Sequence, residues 1–505
     1  MFVENPWIAP DVIESRDYQN SIVKTAITGN TLVILPTGLG KTPIAALVCA
    51  HCLENNKGRK ILFLAPTKPL VEQHKATFEK FFRSGLEMRV ITGSNQPAER
   101  SELYKDSDIV FSTPQTIRND INAGKLSLNN YSLLIVDEAH RAVGNYAYPY
   151  VAKVFMQQAG GLLLALTASP GSYKVRIDEI KQKLFVKNVE IRSREDTDVQ
   201  PYIKQIKESR ITVEFPIPMK TIQEYLKSIK SARIKKLMEW RIINSSYIAK
   251  TDIIKLQQEL AKRKSGFSFA AISLLAEILK VDHALLLLET QCLHALQRYF
   301  DSLAKQETRA VARLLKDENF KNALRLTNEL VNEDIEHPKI DKLKEIVADE
   351  MSRNKYCHII VFAQFRDTIA KIYEELKSIK GAAPVEFIGQ AKKSGKGLSQ
   401  KEQVQIINEF KLGFYNILVA SQVGEEGLDI TETDLVIFYE PTPSAIRKIQ
   451  RTGRTARTRA GRVIVLMTKD TRDEAFHWSG FQKERRMKKL IYAIQKKQQS
   501  LGEFK

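Results

Sequence analysis

Four cysteines in 505 residues are too few for a disulfide framework. Cys49 and Cys52 form a CxxC within ALVCAHCLE, but Cys292 and Cys357 stand alone, so no second pair completes a zinc site. The pair is expected to be two small buried residues of a helix. The eight histidines show no ligand spacing either. No apolar run reaches the roughly 18 residues of a membrane span, and no membrane partner is expected. The N-terminal stretch has no basic segment followed by an apolar one, so no secretory signal is expected. An acidic excess is also missing. The chain carries 78 Lys and Arg against 59 Asp and Glu, a net charge of +19. That balance favours a polyanionic partner, because neutralising phosphates releases counterions.

What remains is an ordinary globular composition, 43% hydrophobic and 27% charged. The length is too great for one core. Residues 31–167 alternate apolar runs (TLVILP, KILFLAP, RVIT, DIVFST, LLIVDE, LLLALTA) with helical stretches. Residues 357–467 repeat the pattern with CHIIVFA, VEFI, NILVAS, DLVIFYE and RVIVLM. This predicts two parallel α/β units with covered sheet faces, able to share a ligand at the cleft between them. From about 218 to 335, Gly and Pro are scarce and apolar residues recur every three or four positions, which predicts helices. Residues 201–330 hold 23 Lys and Arg against 14 Asp and Glu, a net of +9. A basic helical arm is expected to grip nucleic acid, with a structural spacer as the plain alternative. The predicted divisions are 1–205, 206–340, 341–490 and a basic tail at 491–505. ITVEFPIP, at 211–218, reads as a strand that could belong to the second α/β unit, so the boundary at 206 is soft. The tail reads as a linker toward something further.

Two segments carry the chemistry. LPTGLGKT, residues 35–42, follows an apolar strand and enters a helix. Gly38 and Gly40 let backbone N–H groups close around phosphates, with Pro36, Thr37 and Leu39 completing the loop. Lys41 would reach the β- and γ-phosphates, and Thr42 would hold Mg²⁺. A strict phosphate loop has Gly where this chain has Leu35. SLLIVDEAH ends a second buried run in two acids. Asp137 is the expected Mg²⁺ acid, and Glu138 the base or positioner for an attacking water. His140 would connect them to Thr167 and Ser169. Arg16 and Gln19, in RDYQ, are candidate adenine readers. In QRTGRTAR, Arg454 and Arg457 lie three apart, on one helix face. They would act as arginine fingers, with Gln450 near the γ-phosphate and Gly427 and Asp429 lining the cleft.

This ordered set resembles superfamily 2 helicases of the DEAH type. PTGLGKT matches motif I, APTKPL motif Ia, TPQ motif Ib, DEAH motif II and TAS motif III. VFAQFR, VASQVGEEGLDI and QRTGRTAR match motifs IV, V and VI. Within the superfamily, DEAHRAVGNYAY, LTASPG, VGEEGLDI and GRTARTRAGRV are similar to the Hef/FANCM group. RIG-I-like and Dicer helicases share a helical insertion, but their motif II usually has Cys where this chain has Ala139. The resemblance implies two RecA-like domains with an all-α insertion, ATP and Mg²⁺ as cofactors, and a motor on branched or forked DNA with single-stranded regions. It also implies that Thr67, Lys68, Thr113, Gln364, Arg366, Ser421 and Gln422 face the nucleic-acid backbone, reading shape rather than sequence. Archaeal Hef proteins carry an XPF-type nuclease after the helicase. No ERKxxxD-like segment occurs here, so a nuclease is expected only as a domain or partner outside this chain. Two rivals remain open, an RNA-dependent ATPase of RIG-I type and a scaffold with a vestigial ATP site.

Overall fold

A computed structural model describes the chain except residues 170, 172, 204–205, 264, 390–396, 422–432, 445–460 and 503–505, and the side chains of 491 and 494–502. The first unit is a seven-stranded sheet. Its strands are β1 (Thr31–Ile34), β2 (Lys60–Leu64), β3 (Met88–Ile91), β4 (Ile109–Ser112), β5 (Tyr131–Val136), β6 (Leu162–Thr167) and β7 (Asn188–Ile191). Their order is β3-β4-β2-β5-β6-β1-β7, with every pairing parallel. Continuous apolar strands suit burial on both faces. Val33 and Phe63 belong to the core on one face, Leu32 and Leu62 to the core on the other, as the two-residue period of a strand requires. β7, with the mixed sequence NVEI, lay outside the six runs read as strands.

The second sheet contains β8 (Ile206–Val213), β9 (Ile359–Phe362), β10 (Pro384–Phe387), β11 (Ile417–Ala420), β12 (Leu435–Phe438) and β13 (Gly461–Thr468). It is parallel throughout, in the order β10-β11-β9-β12-β13-β8. The boundary set at 206 is therefore corrected. Residues 206–213 pair with all of β13, from Ile206 opposite Gly461 to Val213 opposite Thr468. The strand IKESRITV sits at the sheet edge and is mostly exposed, so it lacks the apolar run that marks a central strand. The boundary at 340 also shifts, because the helix Pro338–Arg353 packs Ile340 and Leu343 into the second unit's core. The division at 491 falls inside one continuous helix, Arg472–Gly502.

Between β8 and β9 the chain forms the helices Ile217–Glu239, Lys250–Lys262, Gly266–Thr290, Leu293–Ala304, Arg309–Leu314 and Glu318–Asn332. They enclose two cores. One gathers Met219, Leu226, Leu288, Leu296 and Phe320, and the outer one gathers Ile234, Leu237, Ile253, Leu260 and Leu274. Side-chain caps help set the helix starts: Ser265 accepts from Ser268 N, and Asp317 accepts from Asn319 N and Phe320 N. The bundle is fastened to the second unit. Lys339 Nζ donates to Thr290 O at 2.7 Å and pairs with Asp473 at 2.9 Å, and both Lys339 and Asp473 are fully buried. Arg472, at the start of the last helix, pairs with Asp282 at 2.9 Å and Glu289 at 3.2 Å.

Candidate nucleotide and nucleic-acid site

In the first sheet β6 lies between β1 and β5. The loop after β1, the acids after β5 and the TAS segment at the end of β6 therefore meet at one carboxyl edge. In parallel sheets that edge is where ligands bind. Leu35 still belongs to the sheet, since its N–H donates to Thr167 O at 3.0 Å and its side chain is fully buried. A residue paired in this way needs no glycine, which accounts for the departure from the strict phosphate-loop pattern. The turn begins beyond it, and Gly38 (φ 84°) and Gly40 (φ 83°) both occupy the left-handed region. A side chain at Gly40 would also collide with Gln19, whose Nε2 would lie 2.2 Å from its Cβ.

The RDYQ segment braces the loop from below. Tyr18 OH donates to Leu39 O at 2.8 Å, and Gln19 Nε2 donates to the same oxygen at 3.1 Å. The nitrogen of Gln19, expected to read a base, is thus engaged with the loop backbone. Arg16 donates to Glu14 at 2.9 Å and lies 4.9 Å above the ring of Tyr202, an aromatic that sequence reasoning had not singled out. Lys41 opens the helix Lys41–Asn55 and donates to Leu35 O at 3.3 Å, with Thr42 beside it in the first turn. The helix start adds unpaired N–H groups and a positive dipole end. Cys49 and Cys52 are buried on this helix, and burial pushes the Cys52 thiol up to about 11.

Asp137 N donates to Leu64 O at 2.9 Å, which continues the pairing of β5 with β2. Tyr148, itself fully buried, donates its hydroxyl to Asp137 O at 2.7 Å. The carboxylate of Asp137 lies 2.9 Å from His74 Nε2. Burial alone would raise the Asp137 carboxyl, but the His74 hydrogen bond, the His74 and Lys41 charges and a backbone bond from Glu138 hold it below its ordinary value. It is ready to act as an anion toward a cation. Glu138 adopts φ 49°, a left-handed conformation costing a non-glycine residue about 1–2 kcal/mol. Its Oε2 is 3.1 Å from His140 Nδ1, which is also 3.2 Å from Thr167 Oγ1. Ser169 N donates to Thr167 Oγ1 at 3.2 Å. The structure thus brings His140, Thr167 and Ser169 into one chain with Glu138.

This donor set suits Mg²⁺. Among the described residues no group of three or more His, Cys, Asp or Glu forms a closed cage. Magnesium is usually held by one or two protein oxygens together with phosphates and water. Asp137 and Thr42 would supply the protein share.

The proposed nucleic-acid contacts lie at the same edges of both sheets. Thr67 precedes the helix Lys68–Phe81 after β2, and Thr113 precedes the helix Pro114–Asn122 after β4. Thr67 Oγ1 is buried without a hydrogen-bond partner, so its hydroxyl is not offered to solvent. Thr113 Oγ1 is 2.9 Å from Thr116 Oγ1, and Lys68 is 3.6 Å from Glu72. Gln364 is exposed just beyond β9, and Arg366 Nη2 donates to Gly389 O at 2.9 Å. Ser421 N donates to Phe387 O at 2.9 Å. Gln422, Gly427, Asp429, Gln450, Arg454 and Arg457 lie outside the described residues.

A DEAD/DEAH box helicase model matches residues 16–176, and a helicase conserved C-terminal domain model matches 338–459. A model described as "Putative ATP-dependent RNA helicase, helical bundle" matches 218–334. The crystal structure of the Pyrococcus furiosus Hef helicase domain is 41% identical, with a TM-score of 0.72, covering 94% of this chain and 99% of that one. The chain belongs to the Hef/FANCM group of superfamily 2 helicases. The two sheets of this helicase are accordingly its RecA-like domains, and the all-α bundle is an insertion into the second of them, between β8 and β9. A Methanocaldococcus jannaschii protein named "Putative ATP-dependent RNA helicase MJ1505" is 41% identical over 97% of this chain and 62% of its own length. The Mus musculus Fanconi anemia group M protein homolog is 33% identical over 94% of this chain and 26% of its length. The Schizosaccharomyces pombe ATP-dependent DNA helicase fml1 is 32% identical over 92% and 58%. The chain thus spans between 26% and 62% of the length of these curated relatives.

Proposed function

We propose that this chain is an ATP-driven motor that acts on DNA, and on branched DNA such as forks and junctions in particular. The observation that carries the reading is the meeting of Lys41, Asp137, Glu138 and Thr167 at the ends of three adjacent strands, within a chain of the Hef/FANCM group. The loop backbone and Lys41 bind the phosphates of ATP. Asp137 and Thr42 hold Mg²⁺, which when bound neutralises charge developing on the transferred phosphoryl group. Glu138 orients the attacking water and takes its proton. His140 and Thr167 link Glu138 to the neighbouring strand end, a route by which the hydrolytic state can reach the nucleic-acid edge. Arg454 and Arg457, from the second domain, would complete the site as fingers, so that closure of the two domains is required for turnover.

Support for DNA comes from the relatives named as a Fanconi group M homolog and a DNA helicase, and from the basic insertion. RNA is the second reading, favoured by the name of the Methanocaldococcus relative and by the helical-bundle model. Strand separation separates the two. A labelled forked DNA and an RNA fork of the same sequence are each incubated with enzyme and ATP, with Glu138→Gln as control. Displacement of the DNA alone upholds the proposal, and displacement of the RNA alone replaces it.

A further inference from the structure

His74 has no place in the helicase motifs, yet it touches the acid expected to hold the metal. It lies on the helix Lys68–Phe81, is 8% exposed, and sets Nε2 2.9 Å from Asp137 Oδ2. Its ring packs on Phe63 of β2 with centroids 4.4 Å apart, which fixes the plane of the imidazole. Phe63 in turn packs on Phe78 and Phe111, each at 5.4 Å between centroids. The backbone of Asp137 is held at both ends, its N–H donating to Leu64 O and its carbonyl accepting from Tyr148. With that backbone fixed, the remaining freedom of Asp137 is rotation of its carboxylate. The His74 contact restrains that rotation.

We propose that His74 is a positioning residue, holding one oxygen of Asp137 so that the carboxylate is presented to Mg²⁺ in a single orientation. Groups that orient metal ligands in this way commonly contribute about 10–100-fold to metal affinity. A histidine that merely fills the core would contribute to stability and leave the metal indifferent to its N–H group. The inference rests on the reading of Asp137 as the metal acid.

The test is an equilibrium titration and needs no turnover. A fluorescent ADP analogue is bound to wild type, His74→Leu and His74→Gln over a range of Mg²⁺ concentrations and in EDTA. His74→Leu removes the donor while filling the space. The half-saturating Mg²⁺ concentration is expected to rise about 10-fold or more, with ADP affinity in EDTA unchanged. His74→Gln keeps an N–H at similar reach and is expected to restore most of the loss. An unchanged Mg²⁺ requirement in the Leu variant overturns the proposal. So does an equal loss of ADP affinity with and without the metal. If the Leu variant melts below the assay temperature, His74→Met carries the same comparison. Wild-type ADP binding that ignores Mg²⁺ would overturn the reading of Asp137 itself. Metal-dependent wild type with an unaffected Leu variant would overturn the role of His74 alone.

Discussion

Tyr148 donates its hydroxyl to the backbone oxygen of Asp137 across 2.7 Å, inside the core of the first domain. This bond fixes the chain at the point where it leaves β5 and turns into the left-handed Glu138. Tyr148→Phe keeps the ring and strands a buried carbonyl. The expected loss is about 1–3 kcal/mol of stability, read from denaturant midpoints. ATP turnover should fall as well, because the acids lose their anchor. Unaltered stability and turnover would show that water or another donor replaces the hydroxyl.

Lys41→Ala removes the phosphate-binding charge, and Glu138→Gln removes the base without changing its size. Each should lower ATP turnover by at least about 100-fold. DNA binding, measured by fluorescence anisotropy, should persist in both. Near-normal turnover in either variant would place the chemistry elsewhere.

Asp282 joins the insertion to the last helix. Burial alone would raise its carboxyl, but the Lys230 hydrogen bond, the Arg472 charge and the Arg472 hydrogen bond hold it below its ordinary value of 3.8. A depressed carboxylate contributes stability that is present above its unfolded value and lost as pH falls through the folded one. Wild type should therefore lose stability below about pH 4, and Asp282→Asn should be weaker at neutral pH and lose less on acidification. Parallel stability curves for the two proteins would remove Asp282 from that transition.

Lys235, Lys236, Arg241, Lys250, Lys262 and Arg263 are all exposed on or beside the outer helices of the insertion. Replacing them together with alanine should weaken binding to forked DNA more than to single strands. It should also flatten the salt dependence of fork binding, since each lost phosphate contact reduces the slope by about 1. Equal losses on both substrates would make the insertion a spacer.

The parts of this molecule legible in its sequence are those written locally. Central strands of parallel sheets are short, continuous apolar runs, and a phosphate loop is a contiguous string, so TLVILP and PTGLGKT identify themselves. Edge strands do so only in part: the end of β8 reads as a strand within ITVEFPIP, but its exposed start carries Lys207, Glu208 and Arg210, and its membership depends on β13, some 250 residues later. His74 was also hidden. Val71, His74 and Phe78 line the buried side of one helix at three- and four-residue spacing, which marks a core face whatever the residue type. Its partner is 63 residues away, just beyond β5. Tyr148 reads as one more aromatic in an amphipathic helix until the fold sets it beneath Asp137. Local pattern could suggest that Gln19 meets the nucleotide, but not that its amide would bond Leu39 O.

The central claim is an ATP motor driven by branched DNA. Steady-state ATP hydrolysis tests it most directly, with no nucleic acid, single-stranded DNA, duplex DNA, forked DNA and a matched RNA fork in parallel. The account predicts the strongest stimulation by forked DNA. Equal or stronger stimulation by the RNA fork would contradict the substrate, and no hydrolysis under any condition would contradict the motor itself.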